Sequence, residues 1–343
     1  MSNTKIKVAI NGLGRIGRAF LKIAVTRPEF EIVAVNDLAE LDNLAYLLKY
    51  DTAYGKWDKE VQVNDGQLVV DGQTIKFTSE REPQNLPWRD LGVDVVVEAT
   101  GVFASFNKAK AHLDAGAKKV VVSAPVKDDP PAGVVGATIL MGVNDERLSV
   151  CQISSNASCT TNSASPLIKI LNDALGVEKA VLNTIHGYTA SQKLVDGPDS
   201  KDWRRGRAGA VNIIPSTTGA ATAVTKAITE LDGKFDGIAV RVPVVTGSLV
   251  DVTFIAKRQT SVTEVNQILT EAAKDPNWQK IFTVTTEPLV SSDIVGSSYA
   301  SIADLGFTKV VDGNLVKVLA WYDNEMGYTH TLIEHVIKAG GVS

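Results

Sequence analysis

The stretch Gly12-Leu-Gly14-Arg-Ile-Gly17 constrains this chain more than any other, because a β-branched run, Ile6 to Ile10, leads into it and a helical pattern, Arg15 to Thr26, leads out. In that context the first glycine permits a tight turn, the second lets backbone approach a pyrophosphate, and the third lets the helix pack closely on the strand. The N–H groups at the helix start add donors and positive potential for phosphates. Asp37 follows Gly17 by about 20 residues, at the end of a second strand, Glu31 to Asn36, where its carboxylate can accept from both ribose hydroxyls. A strand-end acid in a turn is common by itself; in register with the glycines it predicts a dinucleotide-binding βαβ unit.

The pattern continues with a helix over Asp42 to Lys49, strands over Val93 to Glu98 and Lys119 to Val122, and between them a helix over Phe106 to Ala115 closed by Gly116. This grammar predicts a parallel sheet covered on both faces. Gln67 to Val70, the pair Asp71-Gly72 and Gln73 to Phe77 read as a hairpin that interrupts it. After about residue 158 come a helix at Thr160 to Leu175 and long strands at Val177 to His186, Gly237 to Pro243, Ser248 to Arg258 and Asn314 to Tyr322. The last helix, Met326 to Lys338, carries Leu332, Ile333, Val336 and Ile337 on one stripe. At roughly 150 residues per domain, 343 residues make about two domains. The fold class read from this is α/β: a Rossmann-like dinucleotide-binding domain plus an α+β catalytic domain with a mixed or antiparallel sheet. Gly187 to Thr217 reads as a long polar connection, of a kind that is usually functional or interfacial.

With 35 basic and 39 acidic residues the formal charge is −4, too mild to draw nucleic acid or an anionic membrane, and neither is expected as a partner. Polar residues interrupt every apolar stretch before a membrane span is reached. The amino terminus, Met1 to Lys5, runs into the first strand without the layout of a secretion signal, so a cytoplasmic protein is expected. Two cysteines make no disulfide framework, and no histidine pair has zinc-site spacing, so no metal is expected.

Those cysteines differ in setting. Cys151 lies among apolar neighbours in Leu148 to Ile153 and reads as a buried strand residue. Cys159, in Ser154-Ser-Asn-Ala-Ser-Cys-Thr-Thr-Asn162, sits where a strand gives way to a helix that Ser158 or a neighbour could cap. There the helix dipole favours thiolate and so nucleophilicity. Among four histidines, His186 ends a strand and can project from a rigid element, whereas His112, His330 and His335 fall in helices and read as solvent-exposed or packing residues.

Taken together, Asn11-Gly-Leu-Gly-Arg-Ile-Gly-Arg18, Val35-Asn-Asp37, Glu98-Ala-Thr-Gly101, Ser155 to Asn162, Thr217-Thr-Gly-Ala-Ala221, Arg241-Val-Pro243 and Trp321-Tyr-Asp-Asn-Glu-Met-Gly-Tyr328 resemble the phosphorylating glyceraldehyde-3-phosphate dehydrogenases in order and spacing over almost the whole chain. The resemblance implies an NAD-binding domain of residues 1–158 and 324–343, a catalytic domain of 159–323, and a homotetramer.

It also implies a glycolytic, NAD-dependent oxidative phosphorylation of D-glyceraldehyde 3-phosphate to 1,3-bisphosphoglycerate. Cys159 matches the nucleophile and His186 its base, acting through a thiohemiacetal and a thioester. A serine would leave a less activated ester, from which acyl phosphate formation is harder. Gly12, Gly14, Arg15, Ile16, Gly17, Asp37, Arg81, Thr100 and Ser123 match cofactor-lining positions. Asn324 matches the residue that orients the nicotinamide carboxamide, with Tyr328 in the same motif. Thr189 and Arg241 match the site for the substrate's phosphate, and Ser158, Thr160, Thr218 and Gly219 the site for inorganic phosphate. Read alone, Arg241 would rather pair with an acid such as Asp251.

Pro198 matches members that prefer NAD to NADP. Ser163 stands where many members carry a second cysteine, Ser191 where some carry an acid, and Lys127 to Gly136 is longer than usual. The alternatives are an erythrose-4-phosphate dehydrogenase, which releases an acid by hydrolysis, and a non-catalytic NAD-binding sensor, which the retained Cys and His argue against.

Overall fold

The computed structural model describes residues 5–200 and 202–341; the start of the chain on which the reading of its amino terminus rests, and Lys201 in the long connection, lie outside the described residues. The chain forms two compact units, one of residues 1–139, 144–157 and 329–343, the other of 140–143 and 158–328.

The first unit is built on a nine-stranded sheet. Its strands are β1 (Ile6–Asn11), β2 (Phe30–Asn36), β5 (Val61–Asn64), β6 (Gln67–Val70), β7 (Gln73–Thr78), β8 (Val95–Glu98), β9 (Lys119–Val122), β10 (Gly136–Thr138) and β11 (Ile153–Ser155); β3 (Tyr50–Asp51) and β4 (Gly55–Lys56) form a separate hairpin. The order is β10-β11-β9-β8-β1-β2-β7-β6-β5. All pairs from β10 to β7 are parallel. Helices α1 (Arg15–Ala24), α2 (Leu41–Lys49), α3 (Trp88–Leu91) and α4 (Phe106–Asp114) connect them. Strand β8 is buried throughout, as expected of a parallel strand covered on both faces. The chain leaves β1 for β2 on one side and later returns to β8 on the other, so the glycine turn after β1 lies at the topological switch point, where such sheets take ligands.

One expectation changes here, and two features are filled in. The hairpin interrupts the βαβ alternation as expected, Asp71 and Gly72 taking positive φ as a tight turn requires, and β7 then extends the sheet by pairing parallel to β2. Cys151 is buried but not on a strand. A 3-10 turn, Asp145–Ser149, precedes it, and the Arg147 carbonyl accepts from the N–H of both Val150 and Cys151, so extended structure begins only at Ile153. The long stretch 127–136 has a structural use: the Asp128 carboxylate accepts from the N–H groups of Phe106 and Asn107, capping α4 beside the Ser105 hydroxyl.

Two helical histidines are fully buried and hydrogen-bonded. His112 accepts from Trp88 Nε1 at Nδ1 and so donates from Nε2 to Glu98. His335 accepts from the Ser154 hydroxyl at Nε2, 2.7 Å, and donates from Nδ1 to Asn156 Oδ1, 3.0 Å.

The second unit has a seven-stranded mixed sheet of order β13-β14-β12-β15-β18-β17-β16. Its strands are β12 (Val177–Gly187), β13 (Ile214–Thr217), β14 (Phe235–Val242), β15 (Ser248–Ala256), β16 (Phe282–Thr285), β17 (Ser301–Val311) and β18 (Leu315–Tyr322). Helices α5 (Cys159–Leu175), α6 (Ala220–Ala227) and α7 (Val262–Ala272) pack beside it around a core that includes Leu167, Leu171, Val224, Val252, Phe254 and Val318. Burial alternates strictly along β15, so the sheet has one buried and one open face. The 187–217 connection is not wholly irregular: it holds two 3-10 turns, Trp203–Gly206 and Gly209–Val211, and ends in β13, which pairs antiparallel with β14. Helix α8 (Met326–Ala339) starts in this unit and belongs to the first from Thr329 on, with Leu332, Ile333 and Val336 fully buried.

Candidate active site

In the first unit a cleft of ≈ 340 Å³ opens beyond the end of β1, lined by Gly12, Gly14, Asp37, Arg81 and Thr100 and by Asn11, Asn36, Leu38, Glu80, Ala99, Val102 and Phe103. Gly12 has φ +97, and a Cβ there would stand 2.8 Å from the Thr100 nitrogen. A Cβ on Gly17 would lie 1.9 Å from the Gly12 carbonyl oxygen, so α1 packs on the turn only with glycine there. Gly14 faces open space and caps α1 without a side-chain hydrogen bond, leaving the helix's first N–H groups available to an anion. Asp37 is aligned by the turn itself: Leu13 N donates to Oδ2 at 2.7 Å and Ala39 N to Oδ1 at 3.0 Å. The cradle could hold a dinucleotide, the α1 terminus offering N–H groups to its phosphates and Asp37 an acceptor to a ribose.

The other expected cofactor residues of this unit do not line the cleft. The Arg15 guanidinium pairs with Asp51, Ile16 is half-buried in the first turn of α1, and Ser123 directly follows β9 with its N–H donating to the Glu98 carbonyl. The spacing of the motifs carried Asn11 and Asn36 along unremarked. Asn36 Nδ2 donates to Asn11 Oδ1, and Asn11 Nδ2 to Glu98 Oε2, so these side chains set the cleft floor.

The second unit brings Cys159 and His186 together. Ser158 caps α5, its hydroxyl accepting from Thr161 N at 3.1 Å, and Cys159 is the first helical residue. Its Sγ lies 3.3 Å from His186 Nε2. The ring's other nitrogen, Nδ1, is 2.6 Å from the Gly187 carbonyl oxygen and also touches Arg241 Nη1, which donates to the same carbonyl at 3.1 Å. With the proton on Nδ1 directed at the carbonyl, Nε2 faces the thiol as an acceptor.

Electrostatics refine the expectation of a ready thiolate. Burial pushes the Cys159 thiol up, against the lowering influence of Arg241 and of the Thr160 hydrogen bonds. Burial, and then the adjacent Arg241 charge, push His186 down to about 3, with the Gly187 hydrogen bond opposing. Burial thus disfavours the charged form of both groups, and Arg241 and the Thr160 hydrogen bonds oppose it at the thiol.

The expected phosphate residues all fall in this unit. Thr189 is half-buried, its hydroxyl 2.9 Å from that of Ser191 and within reach of Gln192 Oε1. Thr218 and Gly219 precede α6, the Thr218 hydroxyl accepting from Ala220 N. Thr160 is buried with its hydroxyl 2.9 Å from Tyr322 OH, so that hydroxyl faces inward. Asp251 is taken by Lys317, which leaves Arg241 to the histidine. Tyr322, whose part sequence reasoning missed, joins Thr160 to Thr184 and sets its ring edge-on to His186, 5.9 Å between centroids. Only its place in the Trp321 to Tyr328 motif could have signalled it. Asn324 is buried and accepts from the Ser248 hydroxyl, and Tyr328 is buried in the first turn of α8.

A parallel sheet with a dinucleotide cradle at its switch point, and a unit presenting a thiol against an imidazole, define the class: an NAD-dependent dehydrogenase with a cysteine nucleophile. Residues 6–106 match the family model described as glyceraldehyde 3-phosphate dehydrogenase, NAD binding domain, and residues 158–324 match that of the C-terminal domain. The chain is 47% identical over 332 residues to the glyceraldehyde-3-phosphate dehydrogenase of Clostridium acetobutylicum, covering 95% of this chain and 96% of that one. It is 45% identical over 339 residues to glyceraldehyde-3-phosphate dehydrogenase 3 of Saccharomyces cerevisiae, covering 97% and 100%. The chain belongs to the glyceraldehyde-3-phosphate dehydrogenase family.

Proposed function

We propose that this enzyme oxidises D-glyceraldehyde 3-phosphate with NAD and inorganic phosphate to 1,3-bisphosphoglycerate, with Cys159 as nucleophile and His186 as base. The observation that carries this reading is the 3.3 Å approach of Cys159 Sγ to His186 Nε2 at the start of α5. His186 Nε2 takes the thiol proton as Sγ bonds to the aldehyde carbon, giving a hemithioacetal. NAD, when bound, supplies the hydride acceptor. After Nε2 has released its first proton to the new oxyanion, it takes the hemithioacetal's hydroxyl proton as the C–H bond is oxidised, and a thioester to Cys159 remains. A phosphate oxygen attacks the thioester carbon, the C–S bond breaks, and Cys159 leaves as thiolate. Arg241 and Thr189 hold the substrate's phosphate, charge-assisted at the guanidinium. Ser158, Thr218, Gly219 and the backbone at Thr160 receive the incoming ion.

Residues 1–158 and 324–343 act as the NAD-binding domain and 159–323 as the catalytic one. Arg15, Ile16 and Ser123 take part through their backbone and local shape, and Asn324 with Tyr328 serves the nicotinamide end. The functional form is a homotetramer; exposed Val181 and Ile238 on the open face of the second sheet, and Leu194 and Trp203 in the 187–217 connection, support self-association. The enzyme works in the cytoplasm, a reading supported by its glycolytic chemistry. No helix among the described residues is long and apolar enough to cross a membrane.

The test is to mix the protein with aldehyde and NAD without phosphate, quench in acid and map peptides by mass. A phosphoglyceroyl adduct on the Cys159 peptide is expected; an unmodified Cys159 after a stoichiometric burst of NADH would refute the covalent route.

A further inference from the structure

Gly187 has two backbone hydrogen-bonding groups, and each is tied to a different part of the site. Its carbonyl accepts from His186 Nδ1 at 2.6 Å, and its N–H donates to Ser248 Oγ at 3.2 Å. An N–H can only donate, so Ser248 Oγ is the acceptor in that bond and keeps one proton to give. That proton lies toward Asn324 Oδ1, 2.8 Å away. The neighbouring Thr246 hydroxyl is 3.2 Å from the same oxygen but 3.1 Å from the Asp323 carboxylate, and its single proton cannot serve both. Ser248, Asn324 and Thr246 are all buried, so water does not readily take over these bonds.

We propose that Ser248 is a positioning residue: by donating to Asn324 Oδ1 it fixes which end of the Asn324 carboxamide is turned inward and leaves Nδ2 as the outward group. This rests on the reading that Asn324 meets the nicotinamide carboxamide. An outward Nδ2 offers donors and no acceptor, so it recognises the oxygen of the cofactor's carboxamide. The direction runs in one line, Gly187 N–H to Ser248 O–H to Asn324 Oδ1, and originates in the same residue whose carbonyl holds the base in its working tautomer. Without the Ser248 hydroxyl the amide is free to turn.

Two dinucleotides distinguish the orientations. The NAD carboxamide carries an acceptor and a donor and can adapt to either end of Asn324. Nicotinic acid adenine dinucleotide carries a carboxylate, which only accepts, and can pair only with Nδ2. Dissociation constants for both are measured by fluorescence titration on the full-length protein, the Ser248→Ala, Ser248→Thr and Asn324→Ala variants, with thermal melts to verify folding. Ser248→Ala should raise the ratio of the carboxylate analogue's Kd to that of NAD by roughly threefold to tenfold, the worth of one neutral hydrogen bond. Ser248→Thr, which keeps the hydroxyl, should restore it. If Ser248→Ala does not fold, Ser248→Cys supplies the same comparison with a weak donor. An unchanged ratio in Ser248→Ala, or in Ser248→Cys where that stands in for it, alongside a changed one in Asn324→Ala overturns the positioning role. An unchanged ratio in Asn324→Ala as well overturns the reading of Asn324 itself.

Discussion

The Arg241 guanidinium lies against Nδ1 of His186, while Nε2 on the far edge of the same ring faces the Cys159 thiol. A fixed positive charge beside an imidazole disfavours its protonation, so Arg241 helps to keep the base neutral, second to burial. Removing the charge should raise the His186 pKa, and the pH below which the base is lost should rise with it. Arg241→Gln is therefore expected to move the acid limb of kcat/KM to higher pH. A non-phosphorylated aldehyde is the right substrate, because it sets aside the loss of phosphate binding. An acid limb that stays in place would show that Arg241 does not act on the base.

Only one of the two cysteines should matter to turnover. Cys159→Ser is expected to lower kcat by about three decades or more, since a hydroxyl is a poorer nucleophile and its ester a poorer acyl donor. Cys151→Ser should leave most activity, because Cys151 is buried behind a 3-10 turn and belongs to the first unit, whereas the imidazole belongs to the second. Burial also pushes the Cys151 thiol up, so it resists alkylation at neutral pH. Iodoacetamide labelling followed by peptide mass should find Cys159 first; preferential labelling of Cys151 would reverse the assignment.

Stability should fall in mild acid through His335. Burial pushes this imidazole down to about 3, and its hydrogen bonds to Ser154 and Asn156 use a neutral ring with the proton on Nδ1. The unfolded chain binds a proton near pH 6.5 and the folded one does not until near 3, so its contribution is full above 6.5 and lost as pH falls through that window. The bonds join α8 to β11 and to the residue just after it within the first unit. His335→Gln should lower Tm at pH 7.5 yet flatten its decline between pH 6.5 and 4; an equally steep decline would place the acid sensitivity elsewhere.

The elements that carry the site were legible because each has a local cause. Glycine spacing placed the cradle between β1 and α1, the Ser158 cap placed Cys159 at the start of α5, and β-branched runs placed β12, which ends at Gly187 just past His186. Side-chain partnerships were not legible, since they depend on strands distant in sequence. Arg241 reaches His186 because β12 and β14 pair in parallel with those two residues in register. Tyr322 reaches Thr160 across 162 positions, and Ser248 meets Asn324 through the antiparallel register of β15 with β18. The same holds for β13, whose four residues look like loop until β14 lies beside them.

Cofactor choice should rest on Asp37. A 2′-phosphate would meet its carboxylate at short range and remove the hydroxyl it binds, so NAD should be strongly preferred over NADP. Asp37→Ala forfeits a charged hydrogen bond, worth about one to two decades in NAD affinity, while relieving the repulsion toward NADP. It also frees Leu13 N, so part of the NAD loss comes from a looser turn. The NAD-to-NADP ratio of kcat/KM should narrow in Asp37→Ala, and Pro198→Ser should add to the change. A ratio near unity in the parent enzyme would contradict the role given to Asp37.

The chemistry assigned to Cys159 stands on the fate of its thioester, and the decisive measurement is steady-state NAD reduction by D-glyceraldehyde 3-phosphate with and without inorganic phosphate, with the product identified. Sustained turnover should require phosphate and yield 1,3-bisphosphoglycerate, with no more than one equivalent of NADH per site formed quickly in its absence. Equal steady rates in both, with 3-phosphoglycerate as the product, would show that water rather than phosphate resolves the acyl-enzyme and would contradict the phosphorylating reaction.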